Sequence, residues 1–139
     1  MTSDVLVLIP CGKVKATEPR PARDLYLGSS FRLARTAAEA DGRRWAILSA
    51  LHGIVDPDKV LVPYDRTLDT RAHRDALVRR LQMQPNPGPV EAWVPSRYLA
   101  ALRAARITVV AAPLDGLTMG WRSHWFKDHA AAAAERSAL

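Results

Sequence analysis

The sequence predicts an α/β fold, a small doubly wound and mostly parallel four-stranded sheet with helices on both faces. Four short apolar runs are spaced along the chain, and segments with helical periodicity lie between them. Such alternation favours parallel strands that are joined by helical crossovers. A chain of 139 residues has the length of one domain. We therefore expect a single α/β domain over residues 1–139.

The first half of the chain supplies two strands and one helix. Val5–Ile9 is continuously apolar, which is typical of a strand covered on both faces, and Pro10 ends it. After a loop with two prolines, apolar residues recur at helical spacing over 29–41, behind a serine as N-cap and before Gly42. Residues 44–50 form the second predicted strand, because their centre is again apolar.

The second half of the chain continues the alternation. A helix is predicted over 70–83, after Asp69 or Thr70 as a cap, and a proline-rich segment ends it. The remaining elements are a strand over 90–94, a helix over 96–105, a strand over 107–112, and one helix or two helical pieces within 117–138.

The charge of the chain is compatible with an anionic partner. The sequence has 20 Lys+Arg against 14 Asp+Glu, a net charge of +6 and a pI near 10.1. Such an excess favours polyanions. The alternative is that the arginines lie on solvated helix faces, and only a clustered patch would decide for a polyanion.

The cysteine content and the hydropathy indicate a cytoplasmic protein. The single cysteine, Cys11, cannot form an internal disulfide and suits a reducing compartment. Val5–Ile9 is too short for the core of a signal peptide, and no apolar run approaches the roughly 20 residues that span a bilayer. We therefore expect no membrane association.

Four loops should meet at one edge of the predicted sheet. Parallel strands place their carboxyl ends together, which is where open α/β sheets bind ligands. The loops that follow the four strands are residues 10–15, 49–64, 95–98 and 113–120. This convergence predicts one site that is built from distant segments.

The first of these loops carries a thiol and two ammonium groups. Lys13 or Lys15 could hold an anion beside the flexible backbone at Gly12, although the spacing of a P-loop is absent. Cys11 is either a small buried apolar residue or, with its pKa lowered by a nearby lysine, a nucleophile.

The second loop is the richest in titratable groups. His52, Asp56 and Asp65 could provide a carboxylate and histidine pair for proton transfer, or a carboxylate that stabilises positive charge on a sugar. The alternative is that the aspartates only form turns through hydrogen bonds to nearby amides.

The third and fourth loops offer fewer functional groups. Arg97 could bind a phosphate or carboxylate, while Ser96 could simply cap its helix. Gly116 and Gly120 flank an apolar segment that could cover a flat base. The spacing of cysteine and histidines fits no zinc motif, so no metal is expected.

Four motifs resemble those of a known group. IPCGKVK, PARDLYLGSSFRLAR, WAILSALHGIVDPDKVLVPYDRTL and PLDGLTMG are similar to segments of small bacterial and phage proteins classed as a domain of unknown function and related to the peroxide-stress YaaA proteins. The resemblance covers Leu6 to about Trp125. It implies importance for Cys11, Lys13, Lys15, Asp24, Tyr26, Phe31, Ser49, Gly53, Pro63, Tyr64, Asp65, Gly116 and Gly120. Similar proteins often have SAKYG or SAKHG where this chain has SALHG, so no basic role transfers to Leu51.

The resemblance adds an expectation about partners. Proteins of the YaaA-like group look like DNA-binding stress proteins. Domains similar to them are found next to nucleobase-modifying enzymes. Both associations favour a nucleotide, a nucleobase or DNA as the partner.

We therefore expect an enzyme that acts on a nucleotide or nucleobase and needs no cofactor. The N-glycosidic bond is one candidate for the bond that reacts. The predicted catalytic residues are Asp65, His52, Asp56 and Cys11. The predicted substrate-binding residues are Lys13, Lys15, Asp24, Tyr26, Phe31, Ser49, Gly53, Tyr64, Arg97, Gly116 and Gly120.

Two other functions remain open at this stage. One is a non-catalytic DNA-binding protein of stress-response or phage-related type. The other is a homo-oligomer that associates through the C-terminal helix with Trp121 and Trp125, a pair whose spacing more often marks a helix packed on a core or a partner than a surface for a base.

Overall fold

The structure, a computed structural model, describes residues 4–138, and for residues 137 and 138 it describes only the backbone. The predicted domain of residues 1–139 thus extends past the described part at both ends. The strands are β1 (Leu6–Pro10), β2 (Arg20–Pro21), β3 (Trp45–Ser49), β4 (Gly53–Val55), β5 (Val60–Leu61), β6 (Val90–Ala92) and β7 (Val109–Ala111). The helices are α1 (Ala22–Leu25), α2 (Ser29–Asp41), α3 (Arg71–Met83), α4 (Ser96–Ala104) and α5 (Met119–Ala138).

The main sheet has five strands in the order β4-β3-β1-β6-β7. The strands β3, β1, β6 and β7 run parallel, and β4 pairs antiparallel with β3. The predicted mixed α/β fold and the mostly parallel sheet are confirmed. The predicted number of four strands is wrong, because residues 53–55, which we assigned to a loop, turn back and add an edge strand.

The turn into β4 depends on a glycine and on a side-chain amide. Gly53 has a φ of 74°, in the left-handed region that glycine occupies without strain. The side chain of Gln84 accepts a hydrogen bond from the backbone N–H of Ile54 and donates to the backbone oxygens of His52 and Ile54. The side chain of Gln84 thus fills the place of a neighbouring strand along β4.

Both faces of β1 are buried, each in a different core cluster. Val7 and Ile9 belong to a cluster with residues of α2 and α5, whereas Leu6 and Leu8 belong to a cluster with residues of α3 and α4. The helices α2 and α5 contact each other, and so do α3 and α4. A continuous apolar strand is the pattern that such two-sided burial requires.

The helix ends follow local chemistry at α3 and at the end of α2, but α4 starts after Pro95 without the expected cap by Ser96. Thr70 caps α3 by accepting a hydrogen bond from the N–H of His73, and Gly42 ends α2 in the left-handed conformation. The predicted serine N-cap of α2 is wrong, since Gly28 occupies that position without a side-chain cap. Neither Ser29 nor Ser30 therefore caps α2.

The strand order creates a crevice at the carboxyl edge. The chain passes from β1 to β3 on one side and later to β6 on the other side of β1. In open α/β sheets this reversal separates the two flanking loops and leaves room for a ligand. No helix within residues 4–138 combines the length and apolar character that are needed to cross a membrane.

Candidate functional site

A cavity of about 160 Å³ lies at the carboxyl edge, between the ends of β1 and β6. This is the position that the strand order favours. Its lining is mostly apolar and has no acidic side chain, and comprises Pro10, Cys11, Gly12, Ser30, Phe31, Pro95, Tyr98, Leu114, Met119, Arg122, Ser123 and Phe126. Pockets for drug-sized ligands enclose roughly 300 Å³ or more, so this one suits a single small ring system.

Three helices begin at this cavity. Its lining includes residues from the first turns of α2, α4 and α5, namely Ser30, Tyr98 and Met119 among others. Neither α2 nor α4 has a side-chain cap at its N-terminus. The first N–H groups of a helix and its macrodipole favour negative charge. The cavity is therefore electropositive for reasons that do not depend on lysines.

Cys11 and Tyr98 meet inside the cavity. The Sγ atom of Cys11 lies 3.4 Å from the hydroxyl oxygen of Tyr98, and the cysteine is half-buried and not in a disulfide. Burial, with Cys11 as a further cause, raises the pKa of Tyr98, so that this phenol stays neutral at physiological pH. A thiol is thus held beside a neutral hydroxyl group at the end of the central strand.

Arg122 brings an unsatisfied donor to the cavity. Its Nε atom is buried and has no hydrogen-bond partner among the described residues. Buried polar groups in folded proteins are nearly always hydrogen-bonded, so an orphan calls for an explanation.

A chain of hydroxyl groups runs beside the cavity. The hydroxyl of Tyr64 lies 2.6 Å from those of both Ser49 and Tyr26. The Oγ of Ser49 already accepts hydrogen bonds from the N–H groups of Leu51 and His52. Ser49 therefore donates its proton to Tyr64, Tyr64 donates to Tyr26, and the proton of Tyr26 is left for another acceptor.

The burial of this chain keeps its phenols neutral. Burial raises the pKa of Tyr26 to about 12, and it raises the pKa of Tyr64 further still. Lys15 lies over the rings of Tyr64 and Tyr26, with Nζ 4.5 and 5.8 Å from the two centroids. The hydroxyl chain thus offers one hydrogen-bond donor, the hydroxyl of Tyr26, next to a cation.

The structure brings together about half of the residues that the sequence predicted. Cys11 and Phe31 line the cavity, and Phe31 contacts Tyr26 at a ring separation of 4.9 Å. His52 packs edge-on against Tyr64, and burial, followed by Arg80 and Lys59, lowers its pKa. The predicted residues in this group are Cys11, Lys15, Tyr26, Phe31, Ser49, His52 and Tyr64.

Other predicted residues lie elsewhere. Asp56 sits at the amino edge of the sheet, beside Leu6 and Trp45, and its carboxylate accepts a hydrogen bond from the N–H of Asp58. Asp24 is exposed and pairs with Arg35.

Arg97, Lys13 and Asp65 are also exposed. Arg97 pairs with Asp69 next to α3, so its guanidinium is already engaged by a carboxylate. Lys13 and Asp65 are solvent-exposed, and neither lines the cavity.

The three predicted glycines have backbone roles. Gly53 and Gly116 adopt positive φ values in turns, and Gly120 lies in the exposed first turn of α5. Among residues 4–138, no three histidine, cysteine or acidic side chains are grouped as metal ligands.

Sequence reasoning missed Arg122, Ser30, Ser123, Leu114 and Phe126, whereas Met119 belongs to the apolar segment between Gly116 and Gly120 that we expected to cover a flat base. The sequence predicted the helices that carry Ser30 and Arg122, but nothing in it showed that the first turns of these helices face the end of β1. The usable signal was PLDGLTMG followed by WRS, a turn-rich loop with an arginine close behind it.

Comparison with known families assigns the chain. A family model described as a family of unknown function, DUF6884, matches residues 6–128. The chain belongs to DUF6884. The match spans β1 to the middle of α5, so every residue that lines the cavity lies inside the DUF6884 region. No curated protein matches the chain.

Proposed function

We propose that this DUF6884 protein is an enzyme that acts on a nucleotide or nucleobase and binds it in the cavity between β1 and β6. One observation carries the proposal: a thiol, a neutral phenol and an unsatisfied arginine meet where three helices begin. Apolar walls suit a flat ring, and the arginine and helix N-termini suit its oxygens or an attached anion.

The roles of the cavity residues follow from their chemistry. Cys11 is the nucleophile, because it is the thiol at the end of β1 with access to the cavity. Tyr98 donates a hydrogen bond in its neutral form, either to the sulfur or to the bound ligand. Arg122 binds a ligand oxygen through its guanidinium group, since this residue lines the cavity.

The proposal extends to the bond that reacts, for which the N-glycosidic bond is the candidate. At an N-glycosidic bond, a nucleophile would attack the sugar carbon while the departing base takes up a proton. No carboxylate lines the cavity, and Asp65 and His52 lie outside its lining. The proton for the departing base would therefore come from the Cys11 thiol as its sulfur bonds to the sugar carbon, with the Tyr98 hydroxyl 3.4 Å away to pass it on. The resemblance to the YaaA proteins belongs to the same proposal and supports a nucleic-acid component as substrate.

Binding and chemistry are tested separately. Thermal shift with free bases, nucleosides and nucleotides should show stabilisation of about 2.7 kcal/mol at 100 times the dissociation constant. Arg122→Gln should abolish this shift, whereas Arg136→Gln, at the far end of the same helix, should preserve it. A shift that survives in Arg122→Gln would contradict the assigned cavity.

Catalysis is tested on a ligand found in that screen. Cys11→Ser should retain the thermal shift and lose turnover, since a serine hydroxyl keeps the shape but is a weaker nucleophile. Asp65→Asn, outside the cavity lining, should keep turnover, and a loss of turnover at an unchanged melting temperature would place the proton transfer outside the cavity. Full activity in Cys11→Ser would exclude the thiol mechanism. Binding without turnover of any base, nucleoside or nucleotide would contradict the enzyme and leave a non-catalytic binding protein, and the DNA-binding alternative is tested by titration against duplex DNA at two salt concentrations.

A further inference from the structure

The positive charge of the chain is concentrated on one helical layer. The helices α3 and α4 together carry six arginines and a single acidic residue, Asp75. The helices α2 and α5, on the other face of the sheet, carry five basic and four acidic residues. We call the basic layer the α3–α4 face, defined by Arg71, Arg74, Arg79, Arg80, Arg97, Arg103 and Arg106.

Several of these arginines have no partner within the protein. Arg79, Arg103 and Arg106 are exposed, and their side chains form no ion pair or hydrogen bond with any residue of the described part. Arg74 and Arg97 both donate to the backbone oxygen of Leu68, at 2.9 and 3.4 Å. The face thus combines free guanidinium groups with others that are held in place.

A shallow groove separates the two helices. It encloses about 200 Å³, and Arg74 and Arg97 line it together with the small side chains of Ala100 and Ala104. Asp75 also lines the groove, so its charged lining is two guanidinium groups and one carboxylate. Such a surface suits a repeating anion better than an apolar partner.

Arg106 provides an independent observation. Its φ of 63° makes it the one non-glycine residue with a positive φ among residues 4–138. It directly follows α4, its N–H donates to the oxygen of Arg103, and the N–H of Ile107 donates to that of Leu102. Glycine is the favoured residue at this helix-ending position. The chain keeps an exposed arginine directly after α4 in spite of the backbone strain at this position.

We propose that the α3–α4 face binds the sugar-phosphate backbone of a nucleic acid. Guanidinium groups bind phosphates bidentately, and rows of them are the electrostatic footprint of such binding. A membrane surface would require large apolar side chains beside the charges. In the described part of these two helices, Met83 is the only large apolar side chain that is exposed. The inference goes beyond the cavity and does not depend on it.

The first experiment measures binding of labelled duplex and single-stranded oligonucleotides of one sequence by fluorescence anisotropy over a range of salt concentrations. The wild-type affinity should fall linearly on a log–log plot against salt. Arg79→Gln with Arg103→Gln should weaken binding about tenfold at low salt and reduce the slope by about two. Lys127→Gln with Arg136→Gln removes the same charge from α5 and should leave both values unchanged. Absent binding, or equal losses in both double variants, would overturn the inference.

Arg106→Gly supplies a variant that cannot fail through misfolding. Glycine relieves the strained φ, so the melting temperature should stay the same or rise while oligonucleotide affinity falls. Competition with poly-glutamate at equal charge concentration tests the partner class. Equal displacement by the polypeptide would overturn the assignment to nucleic acid.

Failure of this inference is distinguishable from failure of the proposed function. A thermal shift with nucleotides but no oligonucleotide binding would overturn the inference and leave the cavity assignment standing. Oligonucleotide binding that depends on Arg79 and Arg103, with no response to any base, nucleoside or nucleotide, would support the inference and remove the cavity assignment.

Discussion

The Nε2 atom of His129 lies 2.7 Å from a carboxylate oxygen of Asp41. The contact joins the end of α2 to α5, and Arg43 binds the same carboxylate through two nitrogens. The side chain of Asp41 is only 4% exposed. This pairing ties the C-terminal helix, which carries part of the cavity, to the body of the domain.

The Asp41 network predicts a stability that depends on pH. The hydrogen bond from Arg43, followed by that from His129, lowers the pKa of Asp41 from 3.8 to about 2. Because the folded state binds this proton less tightly than the unfolded state, the carboxylate stabilises the fold above pH of about 4, and that stabilisation is lost as the pH falls toward 2. Asp41→Asn should cost about 2 kcal/mol at neutral pH and little near pH 2.

Urea denaturation at several pH values checks this prediction. The control is Asp128→Asn on α5, whose carboxylate forms an exposed pair with His124. Exposed pairs contribute little, so this variant should lose no more than about 0.5 kcal/mol. Equal losses in the two variants, or a loss in Asp41→Asn that persists at low pH, would contradict the assigned role.

Gly53→Ala should destabilise the protein more than Gly42→Ala. Both glycines have positive φ values, of 74° and 87°, so alanine costs roughly 1–2 kcal/mol of backbone strain at each position. A Cβ at Gly53 would also clash with Oε1 of Gln84, whereas nothing lies within 4 Å at Gly42. Thermal denaturation of both variants measures the difference, and a smaller loss at Gly53 would show that Gln84 moves aside freely.

Tyr64→Phe should cost about 1–3 kcal/mol in the free energy of unfolding. Removal of its hydroxyl leaves the buried Ser49 without an acceptor for its proton and Tyr26 without its donor. Tyr98→Phe is the matched comparison, because the hydroxyl of Tyr98 contacts only the sulfur of Cys11 within the described residues. In chemical denaturation, Tyr98→Phe should lose clearly less free energy of unfolding than Tyr64→Phe. A larger loss in Tyr98→Phe would show that the stabilising hydrogen-bond network lies around Tyr98.

The two tryptophans of α5 should respond differently to truncation. Trp125 stacks on His129 and packs edge-on against the buried Trp93, while Trp121 is 63% exposed. Trp125→Ala should lose roughly 3 kcal/mol, and Trp121→Ala should keep the wild-type stability. Of the two tryptophans, Trp121 is then the one available for the self-association that the sequence left open. Size exclusion of Trp121→Ala tests it, with an unchanged mass counting against that role.

Much of the architecture could be predicted from apolar patterning. The runs that became β1 and β3 are continuous and apolar because both faces of those strands are buried. The pair β2 and β5 could not be predicted, because each has two residues and its pairing is set by distant contacts. For β4, the turn at Gly53 and the amide of Gln84 decide the structure, and neither leaves an apolar signature.

The same short strand explains why the site was only partly predictable. We expected His52 and Asp56 at one edge, since both follow the second predicted strand. Because β4 runs back along β3, it carries Asp56 to the opposite edge and leaves His52 beside Tyr64. The first turns that contribute Ser30 and Arg122 depend on how helices pack on the sheet, which the order of residues alone does not reveal.

The contacts of Gln84 with β4 have a consequence for behaviour at high concentration. A sheet border with bare N–H and C=O groups is a template on which a second molecule can extend the ladder and seed aggregates. Here one amide side chain engages the backbone of Ile54 on both its donor and its acceptor. Gln84 thereby shields this border from intermolecular strand addition, and its loss would expose the protein to fibre-like self-assembly before the core itself is weakened.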